Sequence, residues 1–237
     1  MKTYSLFIFL ILMQFNAGAQ ILKEANKFLK QKSGQLTEKD AADGIREALI
    51  KGTGETVKVV SNLDGYFRNP EIKIPFPEDA REIETKLRSI GLGNKVDEVI
   101  LSLNRAAEDA SKEATPIFVS AIKSMTVKDA INIVKGQDNS ATLYLKQTSS
   151  PELNLKFQPV IKTSLDKVQA TKYWEELVKT YNKLPLVKKM NPDLTAYVTG
   201  KAIDGLFVMV AKEEYKIRKD PKARTTELLR KVFGTKS

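Results

Sequence analysis

Two threonines, Thr37 and Thr126, are each followed three residues later by an aspartate, Asp40 and Asp129, and then by apolar residues at helical spacing. At a helix start such a threonine accepts from a first-turn N–H while the acid reaches back to the threonine's own N–H, so the pattern marks where a helix begins. After Thr37 the apolar positions Ile45, Leu49, Val57, Val60 and Leu63 keep helical intervals, with Gly52 and Gly54 expected to weaken or bend the helix midway. After Thr126, "VKDAINIVKG" ends at Gly136 as a helix stop.

The same punctuation continues along the chain. Residues 64 to 77, "DGYFRNPEIKIPFP", hold Pro70, Pro75 and Pro77 and read as one long irregular loop. Pro77 suits the first turn of a helix through "EDAREIETKLRSI", which Gly91 ends. From Asn94 a helix places Val96, Val99, Ile100, Leu103, Ala107 and Ala110 on one face, and Pro116 is expected to kink or split it. "NSATLYLKQ" alternates Leu143 and Leu145 like a strand, but its flanks favour helix. Pro151 is expected to open a new segment, Pro159 to interrupt it, and Pro192 to begin the helix leading to "GLFVMVAKEEYKIRKD". Thr225 precedes a last short helix. The expected fold is all-α: a single-domain multi-helix bundle over residues 36–234, with one proline-containing loop at about 64–77.

The N-terminus begins Met1-Lys2, continues with the apolar run "YSLFIFLILMQF" and then reads "NAGAQ". That is the form of a secretory signal, residues 1–19, cleaved after Ala19. The run is shorter than the roughly 20 apolar residues that span a bilayer. Residues 20–35 read as a helical lead-in. The expected mature chain is exported and soluble in the periplasm, starts at Gln20, has no cysteine for a lipid anchor, and carries no transmembrane segment.

The chain has no histidine and no cysteine. This excludes Ser-His-Asp and Cys-His nucleophiles, histidine acid-base chemistry, and the usual zinc and haem ligand sets. Carboxylate, lysine, tyrosine or serine chemistry remains. Ser120 with Lys123 imitates a Ser-x-x-Lys element, but the other elements stand in the wrong order and the sequence offers no sheet for them. A calcium loop centred on Gly65 places Val60 where a carboxylate is needed. No cofactor and no metal are implied. The formal charge of +10 is concentrated late: residues 156–237 carry 18 Lys and Arg against 9 Asp and Glu, whereas residues 20–155 balance. A field of this sign favours anionic lipid, acidic glycan or nucleic acid, and serves equally as a solvated surface.

Two stretches carry the candidate residues. In "LNRAAEDA", Asn104 and Glu108 lie one turn apart, as do Arg105 and Asp109, beside the small Ala106, Ala107 and Ala110, which let another helix approach. In "GLFVMVAKEEYKIRKDP", Glu214 interrupts the apolar stripe Ile203, Phe207, Val210, Ile217 and is spaced to pair with Arg218. A buried carboxylate needs a cation or hydrogen bonds. The favoured expectation is therefore an internal ion-pair network of Glu108, Glu214, Arg105 and Arg218 between two central helices. If the chain is an enzyme, Glu108 and Glu214 are the acid and base of a glycan hydrolase. Beyond Glu214, a turn at Pro221 is expected to present Arg218, Lys219, Lys222 and Arg224. Lys183, Lys188, Lys189, Lys222 and Arg224 together are the candidate anion-binding surface. Only Tyr181 and Tyr215 lie near it, so nucleic acid is not favoured.

"DGYFRNPEIKIPFP", "LNRAAEDA", "GLFVMVAKEEYKIRKDP" and the terminal "LLRKVFG", in this order, resemble the bacterial exported family catalogued as domain of unknown function 4197. The resemblance covers about residues 36 to 234. It implies an exported, mainly helical envelope protein, with no activity, substrate or cofactor to carry over. Some relatives resemble lipoproteins with cysteine at the cleavage point, where this chain has Gln20. The expected role is a non-catalytic binding or structural protein for anionic or amphipathic envelope material: lipid, glycan or an envelope protein complex. An acyl chain under "GLFVMVA", with the late cations at its headgroup, is one form of this expectation.

Overall fold

The structure, a computed structural model, describes residues 37–183, 189–191, 193–220, 222 and 230. The expected signal peptide, the lead-in, Pro192, Pro221, Lys188, Arg224 and nearly all of the last short helix lie outside these residues. Among the described residues there are eight α-helices and no strand. They are α1 (Glu38–Val60), α2 (Arg81–Ser89), α3 (Gly93–Ser111), α4 (Ala114–Lys123), α5 (Val127–Lys135), α6 (Ser140–Lys167), α7 (Ala170–Tyr181) and α8 (Leu194–Lys219).

Both capping boxes form. Thr37 Oγ1 accepts from Asp40 N at 3.1 Å and Asp40 Oδ2 accepts from Thr37 N at 3.1 Å. Thr126 and Asp129 repeat the arrangement at 3.1 and 3.0 Å. α1 continues through Gly52 and Gly54 to Val60. Residues 61–77 are irregular, and Pro77 precedes a short 3-10 turn, Glu78–Ala80, that leads into α2. Gly91, at φ +85°, follows the end of α2. Pro116 sits in the first turn of α4, where its missing N–H leaves no helix bond unmade, and the break from α3 falls just before it.

The expected breaks at Pro151 and Pro159 do not occur: α6 runs unbroken over 28 residues with both prolines inside. The reason is their face. Both prolines are exposed, and so are Gln147 and Leu155, whose carbonyls lose their helix partner and meet water instead. The opposite side is a buried series at spacing four: Ala141, Leu145, Ser149, Leu153, Phe157, Ile161 and Leu165. Burial along that ridge outweighs two missing hydrogen bonds on a wet face.

α6 and α8 form the centre. α6 packs along α8 and α3 and against α4, while α1 lies across α4, α5 and α8. One continuous apolar core draws on every helix and on Tyr66, Ile72, Ile74 and Phe76 of the irregular stretch. α8 is long and apolar enough to cross a membrane, with mean hydropathy 1.3 over its best window, but 56% of that window is buried inside the fold. Its apolarity is explained by its central position.

Candidate functional site

The irregular stretch 61–77 is held by three side chains of α3, all from the same two turns. Asn104 is wholly buried and clasps Ile74 at two points: its Oδ1 accepts from Ile74 N at 2.8 Å and its Nδ2 donates to Ile74 O at 2.8 Å. Glu108 Oε1 accepts from the N–H groups of Tyr66 and Phe67, at 3.1 and 3.2 Å. Arg105 donates to Glu108 Oε2 and to Asp64 Oδ1, each at 2.6 Å. Burial works against the charge on Arg105, but its hydrogen bonds to Asp64 and Glu108 outweigh this and raise its pKa. Ala106, Ala107 and Ala110 are wholly buried on the same helix.

The loop is shaped to reach these groups. Asp64 takes a left-handed conformation, φ +69°, and a Cβ on Gly65 would stand 2.5 Å from the carbonyl oxygens of Val59 and Val60. Asp64-Gly65 thus turns the chain back against the end of α1. Tyr66 is then fully buried, and its hydroxyl donates to Ala202 O of α8 at 2.7 Å and accepts from Ser111 Oγ at 3.3 Å. Burial, opposed by the Ser111 bond and reinforced by Glu108, pushes its pKa well above the ordinary tyrosine value. Gly205 makes room for this ring: a Cβ there would stand 2.8 Å from Tyr66 Cε1.

Glu214 of α8 does comparable work elsewhere. It accepts from Ala141 N at 3.0 Å, and from Thr142 N and Oγ1 at 2.8 and 2.7 Å. These are first-turn donors of α6, whose own N-cap, Asn139, supplies no side-chain cap. A carboxylate there also faces the positive end of the α6 dipole. Arg218 donates to Glu214 Oε1 through Nε and Nη2, at 2.9 and 2.8 Å, and Nη2 also reaches Ile133 O in the last turn of α5. One ion pair thereby fixes the end of α5 and the start of α6.

The four ion-pair residues therefore form two clusters, not one network. Glu108 is engaged with the 64–67 turn and Glu214 with the α5–α6 junction, and no partner is common to both among the described bonds. Arg218 also departs from expectation: its side chain is 8% exposed and turned inward, not presented at a surface turn. Lys219 pairs with Asp138 at 2.8 Å.

The candidate anion surface is divided as well. Lys183 and Lys189 are exposed beside the start of α8, where Asn182 bonds both N and O of Met190. Lys222 is exposed beyond the other end of α8. A helix of 26 residues puts about 39 Å between those ends. Under "GLFVMVA", Leu206, Phe207 and Val210 are packed into the core, with Phe118 edge-on to Phe207 at 5.9 Å. The space beside the C-terminal half of α8, bounded by Ile45, Ile133, Glu214 and Ile217, is about 20 Å³. That accommodates a water, not an acyl chain.

A larger depression lies at the opposite end of α8. It measures about 320 Å³ and joins residues distant in sequence: Asp79, Trp174 of α7, Met190, Asn191, Asp193 and Tyr197 of α8. Tyr197 donates to Pro75 O at 3.2 Å, and burial, with Glu78 nearby, pushes its pKa up to about 12. Trp174 packs edge-on to Phe76 at 5.6 Å. No motif in the sequence marks this depression, because its members are single residues from three segments. The one available signal was the chain's lone tryptophan.

A family model described as "Protein of unknown function (DUF4197)" matches residues 35–234. No curated protein and no solved structure matches the chain.

Proposed function

The chain belongs to the DUF4197 family of proteins of unknown function, and from that premise we propose that it is an exported cell-envelope protein with a non-catalytic role in binding or structure. The observation that carries this reading is the occupation of Glu108 and Glu214. Each accepts from two backbone N–H groups and from an arginine. A carboxylate engaged in this way holds backbone and arginine in place, which is a structural use of the side chain. The two also belong to separate clusters, whereas a glycosidase pair flanks one bond at about 5–10 Å. Export rests on the N-terminal signal pattern, and the periplasm is the compartment it addresses. The material bound is anionic or amphipathic envelope substance, with a glycan preferred over an acyl chain because the core under α8 is filled.

The test is a split between stability and turnover. Glu108→Gln and Glu214→Gln should each lower Tm, and the unaltered protein should release no product from envelope glycans. A variant with unchanged Tm and abolished turnover would restore the hydrolase reading. Native mass spectrometry of the mature protein from its own envelope should reveal a small co-purifying mass. Consistently bare protein in folded form would count against a carrier.

A further inference from the structure

The α2–α3 hairpin stands at the edge of the fold. α2 contains no buried residue and packs chiefly on α3. At the tip the chain turns through Gly91 at φ +85°, and a Cβ added there would meet no atom within 4 Å. The residues on either side of this turn are large and apolar, yet Ile90 is 64% and Leu92 44% exposed. Leu92 comes just before Lys95 and Val99, which line a depression of about 630 Å³ between α3 and the α6–α7 corner. The corner side of that depression carries Val168 and Tyr173, each more than half exposed. Exposed apolar residues scattered singly need no explanation, but four gathered at one end of a molecule mark an interaction surface.

The charges around the patch select what covers it. Glu84 and Asp97 both pair with Arg88, Glu98 pairs with Lys95, and Asp166 pairs with Lys162. Lys86 in the last turn of α2, Lys167 at the end of α6 and Lys172 beside Tyr173 are exposed and make no ion pair among the described residues. The acids here are neutralised, and the charge left over is positive. A two-fold contact with a second copy would set the patch on itself and bring these lysines against their own counterparts. A bilayer with anionic headgroups suits every part: its acyl boundary takes apolar side chains, its interface suits a tyrosine with an apolar ring and a polar tip, and its phosphates meet lysines. We propose that this end of the molecule docks on an anionic lipid surface, with Ile90 and Leu92 as the inserting tip and Lys86, Lys167 and Lys172 as headgroup contacts. The proposal rests on the envelope-binding reading above and specifies its partner. The bilayer is met from outside, so the filled core under α8 does not oppose it.

The probe is vesicles of phosphatidylglycerol and phosphatidylethanolamine, with phosphatidylcholine vesicles as the neutral comparison, and the protein is the chain from Gln20 onward. It should float with the anionic vesicles, and less so as salt rises. Ile90→Glu with Leu92→Glu should weaken partitioning about tenfold or more while Tm stays unchanged, since both side chains are exposed. Replacing Lys86, Lys167 and Lys172 by Gln should weaken it about fivefold per lysine. Because the chain has no cysteine, Ile90→Cys carries a single environment-sensitive fluorophore. Its emission should shift to the blue on anionic vesicles, whereas the same label at Lys128→Cys, in α5 next to the opposite end of α6, should not shift. Failure to float with anionic vesicles would overturn the proposal. If the protein then still sediments with purified peptidoglycan sacculi, the binding reading survives, and if it binds neither, both fall. Flotation undiminished by the Ile90 and Leu92 substitutions, or a blue shift at position 128 alone, would also overturn this face. So would a dimer in solution that Ile90→Glu dissociates, with no vesicle binding, which would give the face to a second copy.

Discussion

Arg105–Glu108 on α3 and Glu214–Arg218 on α8 are built from the same two residue types within one helical turn, yet they are set in different surroundings. The Arg105 side chain remains 33% exposed and ties an irregular loop, while Arg218 is 8% exposed and ties the ends of two helices. Both glutamates are about equally buried, at 6% side-chain exposure. The difference lies in what happens when the acid is lost. Water can reach Arg105, and Asp64 still pairs with it. Arg218, 8% exposed, would keep its bond to Ile133 O but lose the carboxylate, beside first-turn donors of α6 that have lost their acceptor. An ion pair's structural weight here follows from the solvation of the partner left behind, more than from its own distances.

The largest effect should therefore come from Glu214→Gln. All of its partners described here are donors, so the new amide group must turn N–H against N–H. Breaking a buried pair costs about 3–5 kcal/mol, which for a chain of this size lowers Tm by roughly 6–20 °C. Thermal unfolding followed by circular dichroism measures it, and hydrogen exchange should show the first turn of α6 opening first. A loss under 1 kcal/mol would mean that water reaches the cluster and that the two anchors are alike.

Glu108→Gln should cost less, about 1.5–3 kcal/mol, the worth of hydrogen bonds to a charged group. Its exchange signature differs: the amides of Tyr66 and Phe67 should lose protection while α6 keeps its own. If Glu108→Gln proves as damaging as Glu214→Gln, solvent exposure of the arginine is not what sets the scale.

Much of this architecture was legible in local chemistry. The two Thr-x-x-Asp boxes, Gly91 and Gly136 marked helix ends because caps act within a few residues. Asn104, Arg105, Glu108, Glu214 and Arg218 stood out because polar residues interrupted apolar stripes, and such interruptions need partners. The identity of those partners was not legible. Glu108 and Glu214 bind backbone N–H groups, which every sequence contains at every position except proline, so no pattern announces them. Pro151 and Pro159 misled for a related reason: whether a proline breaks a helix depends on which face meets water, and that is settled by α3, α4 and α8. The Trp174 pocket depends on three segments converging and has no periodicity to reveal it.

Tyr66 connects the two halves of the comparison, since its N–H belongs to the Glu108 cluster and its hydroxyl to α8. Tyr66→Phe removes only the hydroxyl and leaves Ala202 O and Ser111 Oγ with one partner fewer. The expected cost is the smallest of the three, about 0.5–1.5 kcal/mol, a typical neutral hydrogen bond. The same hydroxyl gives a pH signature. Its folded-state pKa is raised above the unfolded value of about 10, so the unfolded chain releases this proton first as the solution becomes alkaline. Stability from Tyr66 is therefore fully present below pH about 10 and is lost as pH rises toward the folded-state value. Denaturant unfolding across that range should fall more steeply for the native protein than for Tyr66→Phe. Parallel curves would mean that the hydroxyl is wet, and that the loop and α8 are joined by packing alone.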